Sequence, residues 1–467
     1  KANQPHCVQL IAKVSPMFEP SVYSQRRNAL RQRLGNSNGI VLLLGHVNSP
    51  INFAHNVYPF RQDATFSYFF GIDQPGLLGL IPLDSDCDTL FVEVESDPDA
   101  IIWQGKALCR EHIALAANCQ QVKPWHFAQT AINKATRTGR TVHFLAPYRC
   151  DTLHLLTRLL QRAPEAIARR VSRSLIQAVV ALRELKADIE LHEIESALKV
   201  TDEMHRLAMR ATRPGLFERE IVAQMRQLLS REGLQEAYGP VFTKRGEILH
   251  NLTHDNRLAS GDLVINDAGA SSALGYASDV TRTLPVGGRF LAHQRPLYDL
   301  LLEVQEHAIR MIAPGIRYLD VHQAAALKLA EGMKALGFFN ASAEDIVQSG
   351  AYALCFPHGL GHMLGLDVHD MESLGEQHVG YDNQVSRSPL FGLRNLRLGK
   401  ALKTRMVVTV EPGIYFIPAL IQRWQAEKQH PGLINYQSFY DFQHIGGLRI
   451  EDVVVVEEQG ARVLGPP

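Results

Sequence analysis

Two domains are expected from this sequence, an α/β domain at the N-terminus and a second domain built on a duplicated helix–helix–strand unit. Three observations predict them. Short apolar runs alternate with helical patterns in the first third, a Pro-Gly helix stop recurs with the same sequel, and two apolar strands each end in a carboxylate. The length of 467 residues suits two or three domains. The 46% apolar and 21% charged content is that of an ordinary globular protein with ample material for a core.

In the first third, Glu19–Leu34 is charged and helical in spacing, and Gly39–Gly45 (GIVLLLG) is the short apolar run of a buried strand. Leu77–Leu83, Thr89–Val94 and Val142–Leu145 read as further strands, and Asp151–Arg162 spaces its leucines as a helix does. Phe66-Ser67-Tyr68-Phe69-Phe70 reads as an aromatic core strand preceded by a loop. A boundary falls between residues 165 and 180, ahead of a long amphipathic helix from Asp188 to Thr212. The domains are drawn at residues 15–170 and 171–467.

The repeat lies in the second part. One helix stops at Arg213-Pro214-Gly215-Leu216 and the next opens on Glu220-Ile221; another stops at Ala313-Pro314-Gly315-Ile316 and the next opens on Asp320-Val321. Asp262-Leu263-Val264-Ile265-Asn266-Asp267 and Met406-Val407-Val408-Thr409-Val410-Glu411 echo each other as apolar strands with terminal carboxylates. Folded face to face, the two copies bring those carboxylates together.

Composition excludes several roles. Lys+Arg and Asp+Glu both number 48, so the formal charge is zero, and a nucleic-acid partner, which needs a basic surface, is not expected. No apolar run approaches the roughly 18 residues of a membrane span. The opening Lys1-Ala2-Asn3-Gln4-Pro5-His6 lacks the apolar core of a secretion signal and begins without Met, as a trimmed N-terminus would. Six scattered cysteines (Cys7, Cys87, Cys109, Cys119, Cys150, Cys355) form no CxxC pair, so a reducing, cytoplasmic setting is expected.

Three segments carry the chemistry. Asp267-Ala268-Gly269 is followed by Ser278-Asp279-Val280-Thr281-Arg282-Thr283. Pro357-His358-Gly359-Leu360-Gly361-His362 runs on to Val368-His369-Asp370. Thr409-Val410-Glu411-Pro412-Gly413 pairs in kind with Leu448-Arg449-Ile450-Glu451-Asp452. Each residue alone has an ordinary explanation: Asp267 a turn, Asp279 a salt-bridged loop, His362 a packed core histidine, Glu411 a turn, Glu451 a strand-surface charge. Together, on apolar flanks, they strain it, because converging buried carboxylates repel one another unless cations lie between them.

These segments closely resemble the pita-bread metallopeptidases, the superfamily of methionine aminopeptidase, aminopeptidase P and prolidase, over essentially the whole chain from about residue 15. The resemblance implies an α/β N-terminal domain of the aminopeptidase P type and an α+β pita-bread catalytic domain with an internal pseudo-twofold repeat. It implies two divalent metal ions, with Asp279 and Glu451 bridging them, Asp267 on one, and His362 and Glu411 on the other. Four carboxylates and one imidazole form a hard set that favours Mn²⁺, with Co²⁺ or Zn²⁺ as substitutes. One departure is a single extra residue between Asp267 and Asp279, placed in the loop Ser271–Leu274, relative to bacterial aminopeptidase P.

By the same resemblance, His358, His369 and His250 line the substrate site, with His254 close enough to His250 to compete for its place. Glu411 is the proton shuttle, and Tyr415 and Arg449 support the site. Tyr58-Pro59-Phe60-Arg61-Gln62-Asp63 and Phe66–Gly71 resemble the N-terminal domain that methionine aminopeptidases lack. Trp103, in Ile102-Trp103-Gln104-Gly105, resembles a Trp that reaches a neighbouring subunit's site, which implies a homodimer. The branch so indicated cleaves Xaa-Pro bonds. The long stretch between Glu411 and Glu451, and Leu393-Arg394-Asn395-Leu396-Arg397 with Arg397 at the position that binds a dipeptide's free carboxylate, are similar to prolidase. Xaa-Pro dipeptidase is therefore the first expectation and Xaa-Pro aminopeptidase on longer proline-containing peptides the alternative. A creatinase-like hydrolase without metals, or a non-catalytic binding module of the same fold, ranks below both because all five ligand positions are filled.

Overall fold

The computed structural model describes residues 18–35, 38–93, 102–103 and 109–466. Residues 15–17 at the start of the first domain, Val94, the pair Gln104-Gly105 and Cys7 lie outside them. The chain divides into two compact units between Arg183 and Glu184. Helix Arg173–Arg183 lies in the first unit.

The first unit is a mixed five-stranded sheet. Its strands run in the order Gln121–Pro124, Thr89–Val92, Leu78–Pro82, Gly39–Leu44, Thr141–His143. Gly39–Leu44 is antiparallel to Leu78–Pro82 and parallel to Thr141–His143. The central strands are apolar on both faces because helices pack against them, as continuous runs such as GIVLLL require. Helix Pro20–Leu34 enters on Pro20, whose missing N–H costs nothing in the first turn. The aromatic stretch expected as a strand is instead the helix Ala64–Phe70. Its ends explain this: the Asp63 side chain accepts from the Phe66 N–H, and Gly71 closes the helix in the left-handed conformation. Five of the seven residues of that short helix are buried and the other two, Ala64 and Ser67, half-buried, so it carries little amphipathic signal.

The duplication in the second unit is visible in individual hydrogen bonds. Helices Asp188–Ala211 and Glu218–Glu232 form one pair, and Arg295–Met311 and Tyr318–Ala335 the other. In the first pair's turn, the Gly215 N–H donates to the Leu258 carbonyl at 2.8 Å and the Leu258 N–H to the Leu216 carbonyl at 2.8 Å. In the second, Gly315 donates to Leu402 and Leu402 to Ile316, both at 2.8 Å. Both glycines hold a positive φ (95° and 86°), which their side chainless Cα permits. Each helix pair serves a three-stranded sheet. One comprises Val241–Thr243, Leu263–Ala268 and Val280–Pro285, the other Val407–Val410, Asp452–Val456 and Ala461–Val463. The first is packed on by Met204, Ile221, Val222, Met225 and Leu229 from its helices. Among the described residues no helix is long and apolar enough to cross a membrane, and Cys87, Cys109, Cys119, Cys150 and Cys355 are free thiols.

Close backbone approach brings the carboxylate strands together. A Cβ on Gly269 would lie 1.9 Å from the Ser278 carbonyl oxygen, next to Asp279. Gly269→Ala should therefore push the two segments apart. We expect a loss of about 1–3 kcal/mol or more in urea unfolding of the metal-free chain; an unchanged midpoint would show that these strands have slack.

Candidate metal centre

Backbone register places each acidic residue. Strand Leu263–Ala268 pairs antiparallel with Val280–Pro285, setting Asp267 opposite Thr281 and Ala268 opposite Val280, so Asp279 follows at the same strand end. In the second copy Val410 faces Asp452, which leaves Glu411 and Glu451 together just beyond the ladder. A two-residue bridge joins the copies: the Glu451 N–H donates to the Thr281 carbonyl at 3.0 Å. The histidine segment lies along the second strand, with Thr409 N–H on the His362 carbonyl (2.9 Å) and Glu411 N–H on the Leu360 carbonyl (2.8 Å).

Asp267, Asp279, His362, Glu411 and Glu451 consequently line one cavity of about 740 Å³. Asp279, His362 and Glu451 offer ligand atoms all within 4.8 Å of one another. His362 Nε2 lies 3.4 Å from Asp279 Oδ2 and 3.5 Å from Glu411 Oε1. The Tyr238 hydroxyl is shared between Asp267 Oδ1 (2.6 Å) and Asp279 Oδ1. Thr281 donates to Glu451 Oε2 at 2.7 Å. Arg449, buried, reaches Asp267 Oδ2 at 2.5 Å and the Tyr415 oxygen at 2.7 Å.

The electrostatics of this cluster call for a cation. Burial, then the neighbouring Asp267 charge, pushes Asp279 up to about 8. Burial and the adjacent carboxylates likewise drive Glu411 and Glu451 well above the ordinary range. Burial lowers His362 to about 4, so its ring is neutral near pH 7. Its Nδ1–H donates to the Met363 carbonyl at 3.1 Å, which leaves the Nε2 lone pair facing the Asp279 and Glu411 carboxyl groups. Glu451 Oε1 is buried and has no hydrogen-bond partner among the described residues. An unpartnered carboxylate oxygen beside a neutral imidazole lone pair fits a divalent ion, with the second ring nitrogen fixing the tautomer as metal-ligating histidines require.

The other predicted residues separate into several positions. His250, His358, His369, Arg397 and Arg449 line the same cavity. His254 turns its Nδ1 to the Phe242 carbonyl at 3.3 Å, so His250 alone of the two faces the cavity. His358 gives its Nδ1–H to the Gly359 carbonyl (2.8 Å) and accepts the Tyr415 hydroxyl at Nε2 (3.0 Å). His369 Nδ1 meets Glu372 at 2.7 Å. Arg397 is already engaged, its Nη1 at 2.7 Å from Glu372 and 2.6 Å from Glu376, and Glu376 also pairs with Arg387. Trp103 is 83% exposed on the first unit. Sequence reasoning passed over Tyr238, Thr281, Glu372 and Glu376. Tyr238 stands alone in an Ala-Tyr-Gly-Pro loop with no periodic or motif signal, and the two glutamates open the short helical segments Glu372–Leu374 and Glu376–Val379 in a polar stretch that reads as solvent-exposed.

Residues 192–458 match metallopeptidase family M24, and residues 23–143 match the aminopeptidase P N-terminal domain. The chain belongs to metallopeptidase family M24. Membership implies divalent metal ions, in keeping with the Asp279–His362–Glu451 group. The chain is 30% identical to the Xaa-Pro dipeptidase of Homo sapiens over 87% of its own length and 81% of that protein's. It is similar in structure to Escherichia coli aminopeptidase P with the inhibitor Pro-Leu, at a TM-score of 0.77 and 25% identity, covering 96% of this chain and 95% of that one. The zinc-substituted form of that enzyme in complex with product matches with the same values. The pita-bread M24 domain behind an aminopeptidase P-type N-terminal domain is thus the fold expected from sequence.

A pH dependence follows for the metal-free M24 chain. With Asp279 at about 8 when folded and 3.8 as a free side chain, the folded chain holds a proton between those values that the unfolded chain has released. Its contribution is complete below about pH 4 and is lost as pH rises towards 8. Asp279→Asn cannot titrate. The difference in urea stability between variant and parent should therefore grow in the variant's favour from pH 5 to pH 8, by on the order of a few kcal/mol. A difference that stays constant would show Asp279 to be ionised throughout.

Proposed function

We propose that the protein hydrolyses Xaa-Pro peptide bonds as a two-metal exopeptidase, with dipeptides as its first substrates. The observation that carries this is the convergence of Asp267, Asp279, His362, Glu411 and Glu451 on one cavity, with Glu451 Oε1 left unpartnered. Asp279 and Glu451 are assigned as the bridging ligands, Asp267 to one metal position, His362 and Glu411 to the other. The hard, oxygen-rich donor set supports Mn²⁺, with Co²⁺ or Zn²⁺ able to substitute. When bound, such a pair supplies Lewis acidity to the scissile carbonyl and lowers the pKa of a water towards neutrality.

The chain's own residues then have defined tasks. Glu411, on the cavity wall, takes the proton released by the attacking water. It returns that proton to the proline nitrogen, which as a tertiary amide nitrogen leaves only once protonated. His250, His358 and His369 wall the cavity about the peptide. Arg449 fixes Asp267 and, through Tyr415, the ring of His358. The dipeptide reading is supported by the human relative and by Arg397 on the cavity wall. The aminopeptidase reading is supported by the ion pairs that already occupy Arg397 and by the likeness to aminopeptidase P.

In protein stripped of metal and reloaded with Mn²⁺, Gly-Pro should be hydrolysed faster than Gly-Pro-Ala, and Glu451→Ala should abolish both reactions. Arg397→Ala should raise KM for Gly-Pro about tenfold, roughly 1.4 kcal/mol, and leave the tripeptide nearly unchanged. A parent that prefers the tripeptide makes the protein an aminopeptidase; equal losses on both substrates leave Arg397 with a purely structural part.

We also propose a cytoplasmic homodimer in which Trp103 and the Tyr58–Asp63 loop approach the partner's cavity, on the support of the family resemblance and the exposure of Trp103 and Tyr58. Light scattering should give twice the 52.1 kDa chain mass, and Trp103→Ala should raise KM; a fully active monomer would exclude the arrangement.

A further inference from the structure

The loop that carries His358 and His362 has no regular secondary structure, and glycines flank its central residue in Gly359-Leu360-Gly361. Glycine gives such a segment more freedom than any other residue, so something outside it must fix its course. On one side it lies along Thr409–Glu411. The His362 N–H meets Thr409 Oγ1 at 3.1 Å, and the Leu360 carbonyl accepts the Glu411 N–H at 2.8 Å. On the other side the Leu360 N–H donates to Nδ1 of His322 at 3.1 Å. Both polar groups of one peptide residue are thereby held, one by the metal-site strand and the other by a histidine of helix Tyr318–Ala335.

His322 is well suited to this. It is fully buried, and an N–H can only donate, so its Nδ1 must be an unprotonated acceptor and the proton must reside on Nε2. Nε2 lies 3.0 Å from the Tyr352 hydroxyl, which accepts that proton's hydrogen bond. Burial pushes the ring's pKa down to about 4, consistent with the neutral form. One turn earlier on the same helix, Tyr318 donates its hydroxyl to the Thr409 carbonyl at 2.5 Å. Two side chains at i and i+4 thus grip the strand that ends in Glu411 and the loop that ends in His362. The fit leaves no slack at Gly361, where a Cβ would stand 2.1 Å from the Thr409 carbonyl and 2.5 Å from the Tyr318 hydroxyl.

We propose that His322 is a positioning residue for the metal centre. Its Nδ1 sets the Leu360 peptide, and through it the placement of His358, His362 and Glu411. The inference rests on the reading of His362 and Glu411 as metal ligands. Loss of a supporting hydrogen bond of this kind typically costs 10–100-fold in metal affinity.

The two amide replacements separate this role from simple packing. In His322→Asn the side-chain oxygen takes the place of Nδ1 and can still accept from Leu360, but the bond to Tyr352 is lost. In His322→Gln the amide nitrogen reaches towards Tyr352 and the acceptor for Leu360 is lost. Tyr352→Phe removes the Tyr352 bond alone. Calorimetric titration of each metal-free variant with Mn²⁺ is the primary measurement, with kcat and KM for Gly-Pro beside it. We expect the Asn and Phe variants to bind Mn²⁺ within about threefold of the parent. The Gln variant should bind 10–100-fold more weakly, with kcat reduced and KM little changed.

Equal weakening of the Asn and Gln variants, no weakening of either, or weakening of the Asn variant alone each overturns the proposal. If the Gln variant does not fold, the Asn variant decides together with hydrogen exchange of the peptide spanning Pro357–Met363: the Leu360 amide must stay protected, and loss of that protection with full Mn²⁺ affinity overturns the role. A parent chain that binds no Mn²⁺ would instead refute the metal-site reading beneath the proposal.

Discussion

Mutual repulsion among four carboxylates is the constraint to which the rest of the second unit answers. Asp267, Asp279, Glu411 and Glu451 come from two different halves of the duplication, yet all open on one cavity. Arg449 is the buried cation among them, and its guanidinium is committed to Asp267, Tyr415 and Thr281. One fixed positive charge cannot balance four negative ones, so folding this cluster without metal requires protons, as the raised Asp279, Glu411 and Glu451 indicate. Proton uptake and metal binding therefore compete for the same oxygen atoms, which couples metal affinity to pH.

Holding repelling groups together also demands a rigid backing, and the backbone supplies it. Arg282 donates to the Glu451 carbonyl at 2.7 Å and pairs with Asp452 at 2.7 Å. Gln305, from helix Arg295–Met311, donates to the Asp452 carboxylate (3.0 Å) and the Val410 carbonyl (3.2 Å). These bonds stitch together the residues next to Glu411 and Glu451. Behind His369, Lys186 and Asp370 form a buried ion pair at 2.9 Å. Breaking such a pair leaves an uncompensated charge in the core, so it fixes the turn far more firmly than a surface pair would. The glycines at 269 and 361 complete the design by letting backbones approach where any side chain would collide.

Much of this was legible in the sequence, and the exceptions have physical causes. The strands at Gly39–Leu44, Leu78–Pro82 and Thr89–Val92 announced themselves because buried strands are continuous apolar runs. The edge strand Gln121–Pro124 did not, since its half-exposed Gln-Val-Lys-Pro carries neither a run nor a full alternation. The helix Ala64–Phe70 was hidden because five of its seven residues are buried, which blurs helical periodicity. At the site, the acidic residues stood out because charge at the end of an apolar strand is improbable by chance. Tyr238, Gln305 and His322 did not, because their meaning lies in partners that are distant in sequence: 29 residues separate Tyr238 from Asp267 and 38 separate His322 from Leu360.

The ion pairs around Arg397 change how length selection would work. A guanidinium awaiting a substrate carboxylate in a dry pocket would be costly to desolvate. Here Glu372 and Glu376 neutralise it, and Arg387 in turn shares Glu376. These groups are partly exposed, with side-chain exposures of 31% for Arg397, 45% for Glu372 and 18% for Glu376. Pairs of that kind are worth only about 0–1 kcal/mol, so an incoming carboxylate can displace one at little cost. The exchange is of like for like, so the net gain in affinity is held to about the tenfold, roughly 1.4 kcal/mol, expected of Arg397, below the roughly 2–5 kcal/mol of a fully buried pair. Discrimination survives nonetheless, because a peptide with a neutral amide at that place gains nothing by opening the network. Selection for dipeptides would then reside less in the strength of Arg397 than in the readiness of Glu372 and Glu376 to let it go.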